Sequence, residues 1–126
     1  MQLTEHKPGD HYFIRSVAPN QVVIATQTHT SSVIVGAHLL EPNWPVSSLD
    51  ELTPEAIEPL LKHQPEVVIL GVGSEQCFPP TSIYHAFLSR QVGLECMTLQ
   101  AASRTFNVLM SENRRALAAL ILPRIQ

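Results

Sequence analysis

The run "EVVILGVG" at 66–73 restricts this chain more than any other stretch. Its apolar residues are consecutive rather than alternating, with a proline before them and glycines after. A strand that is greasy on both faces has to be covered on both faces. Such a strand belongs at the centre of a sheet flanked by helices. The expectation is therefore an α/β domain, and the flanking segments supply the remaining parts.

Upstream, "HYFIRSV" (11–17), "QVVIAT" (21–26) and "SSVIVG" (31–36) are rich in β-formers, with "HLL" (38–40) as a short fourth candidate. The link "APN" carries turn chemistry, and the short connections make these strands antiparallel neighbours. Residues 1–10 read as a loose polar lead. The stretch 41–53 is turn-rich and acidic, a loop tied down by Trp44. A helix begins next: Thr53 suits the cap, Pro54 the first turn and Glu55 the positive end of the dipole. Pro59 is expected to kink or split it.

After the buried run, a Pro-Pro elbow at 79–80 precedes a helix with Ile83, Ala86, Phe87 and Arg90 on one face, and Gly93 is placed to end it. "LECM" (94–97) is a further strand. In "QAASRTFNVLMSENRR" (100–115), Ala102, Phe106, Leu109 and Met110 form a buried helical stripe, and Asn113 suits the left-handed position after a helix. "RRALAALIL" (114–122) fits either an extension of that helix or a last buried strand; Asn113 before it and Pro123 after it favour the strand. The order is β-β-β followed by α-β-α-β-α-β. This predicts antiparallel N-terminal strands leading into β/α alternation in one domain spanning 1–126.

The totals exclude some functions. A chain of 126 residues with a 44% hydrophobic share suits one core. A formal charge of -3 argues against a binder of nucleic acid driven by phosphate neutralisation. The charge is uneven, however. Residues 1–100 set four bases against ten acids, a balance of -6, while Arg104, Arg114, Arg115 and Arg124 face only Glu112 afterwards. A local basic patch of this kind suits a small anion or an acidic protein partner. Two cysteines, Cys77 and Cys96, make no disulfide framework and are expected to be reduced in a cytoplasmic setting. The start lacks the pattern of a signal peptide, and no run approaches the length of a membrane span; the expectation is a soluble protein.

Motifs for chemistry are sparse. "ILGVGSEQC" resembles a dinucleotide loop, but Gln76 stands where a third glycine is needed and Pro79 and Pro80 break the turn. Cys77 lies close to a helix start that lowers a thiol pKa, yet no base is spaced to serve it. Six histidines show no paired-ligand spacing, so neither metal nor cofactor is predicted. The polar stripe Arg104, Asn107, Ser111 and Arg114, at offsets of 3, 4 and 3, offers a guanidinium fork, an amide and a hydroxyl for an anion or carboxylate. The plainer reading is a solvated helix face with Glu112 paired to Arg115.

The segments "LGVG", "CFPPTSIYHAFL" and "GLECMTLQAASRTFNVLMSENRR" together resemble a family of unknown function that includes assembly factor 3 of mitochondrial complex I. The match rests on Gly71, Gly73, Phe78, Pro79, Pro80, Ala101, Ala102, Arg104, Thr105, Asn107, Ser111, Glu112, Arg114 and Arg115. The resemblance implies a three-layer α/β domain with a mixed sheet and supports a strand at 115–122. It brings no established reaction. The chain departs from the family pattern in three places: Thr98 and Leu99 stand where relatives often have an acid after the preceding strand, Phe106 replaces a common Tyr, and Asn113 a common Gly.

The resulting expectation is a non-enzymatic binding or assembly-type protein, contacting a protein partner through Gly73, Phe78, Pro79, Arg104, Asn107, Ser111 and Arg114. The rival is a small-ligand carrier or enzyme with a pocket at the Gly73 strand end, bordered by Cys77, Phe78, Arg104 and Asn107. A third possibility puts the interface on the acidic loop around 41–58.

Overall fold

The computed structural model describes residues 11–75 and 78–124. Along them run β1 (Ile14–Ala18), β2 (Gln21–Ile24), β3 (Gln27–His29), β4 (Val33–Val35), β5 (Leu40–Pro42), α1 (Pro54–Leu61), β6 (Val67–Val72), α2 (Thr81–Ser89), β7 (Gly93–Met97), α3 (Leu99–Ser111) and β8 (Ala116–Ile121), with a 3-10 turn at Leu49–Glu51. The expected lead at 1–10 lies outside the described residues.

The central sheet has the order β5-β4-β8-β6-β7. β6 runs parallel to both β7 and β8, whereas β4 is antiparallel to β5 and β8, so the sheet is mixed as anticipated. Its side chains alternate between two cores, as the pleat requires. Ile34, Val68, Leu70, Leu117, Ala119 and Ile121 pack with Ile57, Leu60 and Leu61 of α1, Ile83 and Phe87 of α2, and Trp44. Val33, Val35, Ile69, Ala116, Ala118 and Leu120 face the other way, against Ala102, Phe106 and Met110 of α3 and Ile14, Val22 and Ile24 of β1 and β2. Helices α1 and α2 thus make one layer, the sheet the second, and α3 with the N-terminal strands the third.

Several expectations change. Residues 31–36, expected beside 21–26, leave those strands for the central sheet. Val33, Ile34 and Val35 are buried on both faces, which only an interior strand allows, whereas β2 exposes Gln21. β1 and β2 instead form a separate three-stranded antiparallel sheet with β3, a strand too polar to be noticed in the sequence. α1 runs through Pro59 without a break. In so short a helix the proline removes a single hydrogen bond, and the buried Ile57, Leu60 and Leu61 hold the element in place. Gly93 opens β7 rather than closing α2; the left-handed residue there is Gln91, with φ of 60°. Asn113 does adopt the left-handed position (φ 58°), and all six residues of β8 are buried.

One contact fixes how closely α3 lies on the sheet. A Cβ placed on Gly71 would come within 2.6 Å of the Ala102 Cβ and 3.1 Å of Leu120 Cδ2. Helix and strand meet there through two of the smallest residues available. Among the described residues, no helix is long and apolar enough to cross a membrane.

Candidate functional site

The carboxyl ends of β6, β7 and β8 open on the same edge of the sheet, where α/β proteins tend to hold ligands. The chain leaves β6 through Gly73, whose φ of 64° lies in the left-handed region that favours glycine. The Gly73 carbonyl accepts a hydrogen bond from the Leu99 N–H (3.0 Å), joining the strand exit to the first turn of α3. Thr98 caps that helix, its hydroxyl oxygen accepting from Ala101 N–H at 3.2 Å. The β1–β2 turn and the 3-10 turn rise on either side. Together they enclose a cleft of about 800 Å³, lined by residues 17–20, 47–50, 72–74 and 98–100 with Phe78, Ile121 and Pro123.

The wall at 47–51 is firmly held. Ser47 N–H donates to Glu51 Oε1 (2.8 Å), and Arg124 donates to Ser47 Oγ (2.7 Å) and to Glu51 Oε2 (2.9 Å). The Arg124 guanidinium and the Ser47 N–H hold the Glu51 carboxyl at about 2, well below the usual range. Behind the wall, buried Ser32 accepts from Leu122 N–H (2.8 Å) and donates to the Val46 carbonyl, tying loop to strand exit. Trp44 anchors the same loop, its indole N–H donating to the Ala56 carbonyl at 2.9 Å.

The floor is apolar, formed by Val17, Val72, Leu99 and Ile121, and the polar groups on the rim are neutral apart from Asp50. Phe78 stands at the mouth, 68% exposed. Chemically, this arrangement can bury an apolar group while offering hydroxyls and amides around it.

The expected site residues separate into two groups. Gly73 and Phe78 meet at the cleft, and Pro79 is buried beneath the elbow. Arg104, Asn107, Ser111 and Arg114 do not line it. Asn107 is turned inward, a correction to the outward stripe. Its Oδ1 accepts from Ile14 N–H and its Nδ2 donates to the Ile14 carbonyl, each at 2.8 Å. Ser111 donates to the Val108 carbonyl within its own helix. Because α3 ends at Ser111, Arg114 falls beyond the helix, where it pairs with Glu66 at 2.9 Å and holds that carboxyl low. Arg104 is exposed on α3. The basic C-terminal section is likewise not one patch, since Arg114 and Arg124 answer acids in different places. Cys77 lies outside the described residues. Among the described residues, no group of three or more His, Cys, Asp or Glu side chains could hold a metal ion.

Sequence reading missed Asn20, Leu49, Asp50 and Thr98 as cleft residues. Only Thr98 carried a signal, as a capping residue just before a helical pattern. It caps as an acid would, so that departure from the family pattern leaves the cap intact. Phe106 is fully buried, where a hydroxyl would need a partner, and Asn113 adopts the conformation that a glycine would supply.

A family described as "Protein of unknown function (DUF498/DUF598)" has a model that matches residues 14–121. The NMR structure of Xanthomonas campestris XCC1710 is similar at 37% identity with a TM-score of 0.85, covering 100% of this chain and 96% of that one. NADH dehydrogenase (ubiquinone) 1 alpha subcomplex assembly factor 3 of Danio rerio is 34% identical over 64% of this chain and 47% of its own length. The chain thus spans about half of that relative. A "13 kDa major membrane protein" of Francisella tularensis is 22% identical over 96% of this chain and 99% of its own.

Proposed function

From the premise that this chain belongs to the family of unknown function DUF498/DUF598, we propose that it is a non-enzymatic binding protein of assembly-factor type, whose cleft receives an apolar segment of a protein partner. The observation that carries this reading is the 800 Å³ cleft with its apolar floor and with Phe78 exposed at its mouth. Covering a phenyl ring left so open contributes about 2 kcal/mol to association, which makes Phe78 the natural anchor. Gly73 turns the chain out of β6 at the edge of the cleft, and Pro79 seats the elbow that presents Phe78. The relative named as an assembly factor supports a protein as occupant. The same reading places the protein in the cytoplasm, which cell fractionation tests.

A photo-crosslinking residue at Asp50, on the rim, tests the proposal in the native host. The expected result is a discrete protein adduct that disappears with Phe78→Ala. No adduct, or one unaffected by Phe78→Ala, overturns it.

The cleft's volume favours one second reading. It falls within the range of about 300–1,000 Å³ typical of small-molecule sites. Under that reading the occupant is an uncharged, largely apolar small molecule. A thermal-shift screen then finds a stabilising ligand whose effect Leu49→Arg abolishes, with no protein adduct at Asp50.

A further inference from the structure

At the other end of the central sheet, where β6 and β8 begin, lies a pocket of about 340 Å³. Three separate segments bring His11, His38 and His63 to it, and the turn between α3 and β8 brings Arg114 and Arg115. Two left-handed residues make this convergence possible. Asn113 (φ 58°) turns the chain out of α3 into the two arginines, and Gln64 (φ 51°) turns it after α1, beside His63. The back of the pocket is apolar, with Ala37, Pro65, Met110 and Leu117.

We propose that this pocket is a binding site for a small oxyanion, the carboxylate or phosphate group of a metabolite, independent of the cleft. The donors match the chemistry. Arginine presents five N–H groups in a planar fork suited to two oxygens at once. Arg114 gives only its Nε to Glu66, and Arg115 one Nη1 bond to the Gln64 carbonyl, so both keep terminal N–H groups for a ligand. An imidazole donates an N–H in either charge state, and His38 is exposed beside them.

The surrounding acids define what the site selects. Glu66 engages Arg114, Glu41 lies 3.9 Å from His63, and Glu112 acts on Arg114 through space. With these carboxylates present, the pocket has no large positive field to gather anions indiscriminately. Recognition comes from directed N–H donors over a short apolar back wall, which favours a compact oxyanion over a polyanion.

The test is a titration of the full chain, followed by NMR of the backbone and of the Arg and His side chains, with sodium phosphate in one arm and succinate in the other at constant ionic strength. Expected is a saturable shift confined to residues around His38, His63, Asn113 and Arg115 in at least one arm; the arm that saturates identifies the oxyanion. Arg115→Gln combined with His38→Gln is expected to weaken binding at least about tenfold, a loss of the size expected for charge-assisted bonds. Both positions are exposed, so the variant should fold; His38→Gln alone, with a smaller loss, serves if it does not. Shifts that grow without saturation in both arms, or an unchanged affinity in the variants, overturn the proposal.

Discussion

Replacing Asn107 by alanine removes two hydrogen bonds to a single residue 93 positions away. β1 is an outer strand of its sheet, so the outward N–H and C=O of Ile14 have no neighbouring strand. The Asn107 amide supplies both partners, as the next strand's backbone would. Ile14 is 4% exposed, and water replaces the lost amide poorly there. Each bond is worth about 1 kcal/mol, and leaving a buried backbone group unpaired costs about 1–3 kcal/mol. Asn107→Ala is therefore expected to destabilise by about 2–4 kcal/mol. Asn107→Asp keeps the shape and the acceptor for Ile14 N–H but turns a second oxygen toward the Ile14 carbonyl, and is expected to cost at least as much. Arg104→Ala, one turn earlier and exposed, should stay within about 0.5 kcal/mol. Urea unfolding reads all three at a shared m-value; for m of about 1.5 kcal/mol/M, the alanine midpoint falls by about 2 M. A loss below about 1 kcal/mol for both Asn107 variants would refute the idea that this amide ties β1 to α3 within the third layer.

Glu51 gives a pH signature. Its folded pKa of about 2 lies below the ordinary 4.5, so its stabilising effect is complete above 4.5 and fades as pH falls through 2. Glu51→Gln should flatten that part of the acid limb of melting temperature against pH; wild-type and variant curves running parallel between pH 2 and 4.5 would contradict it. Gly71→Ala should destabilise by about 1–3 kcal/mol, because neither the Ala102 Cβ nor the sheet can yield without moving α3. Adding Ala102→Gly should restore part of the loss, and an unchanged melting temperature for the single variant would contradict the close contact.

Legibility in the sequence followed the range of the interaction. The buried run at 66–73, the cap at Thr53, the apolar stripe of α3 and the left-handed Asn113 are local, and the structure has each of them. Pairing partners are not local. Nothing in "SSVIVG" indicates that Val33 lies against Leu120 rather than beside β2. The same distance hid the role of Asn107, which looks solvent-facing on a helical wheel until β1 arrives to occupy its amide. The cleft was legible only at Gly73 and Phe78, because its other walls come from turns that share no pattern. A periodic polar stripe drew attention, while the concave surface formed where the chain is least periodic.

β8 lies in the middle of the central sheet although it is the last strand described, and it alone bridges the antiparallel β4 to the parallel β6. During synthesis, the β4–β5 hairpin and the β6–α2–β7 unit share no edge until residues 116–121 leave the ribosome. Both apolar faces stay open until then, and sheet closure becomes a single late event rather than a stepwise one. A nascent chain stalled before Ala116 should therefore be a client for chaperones, however complete its helices are.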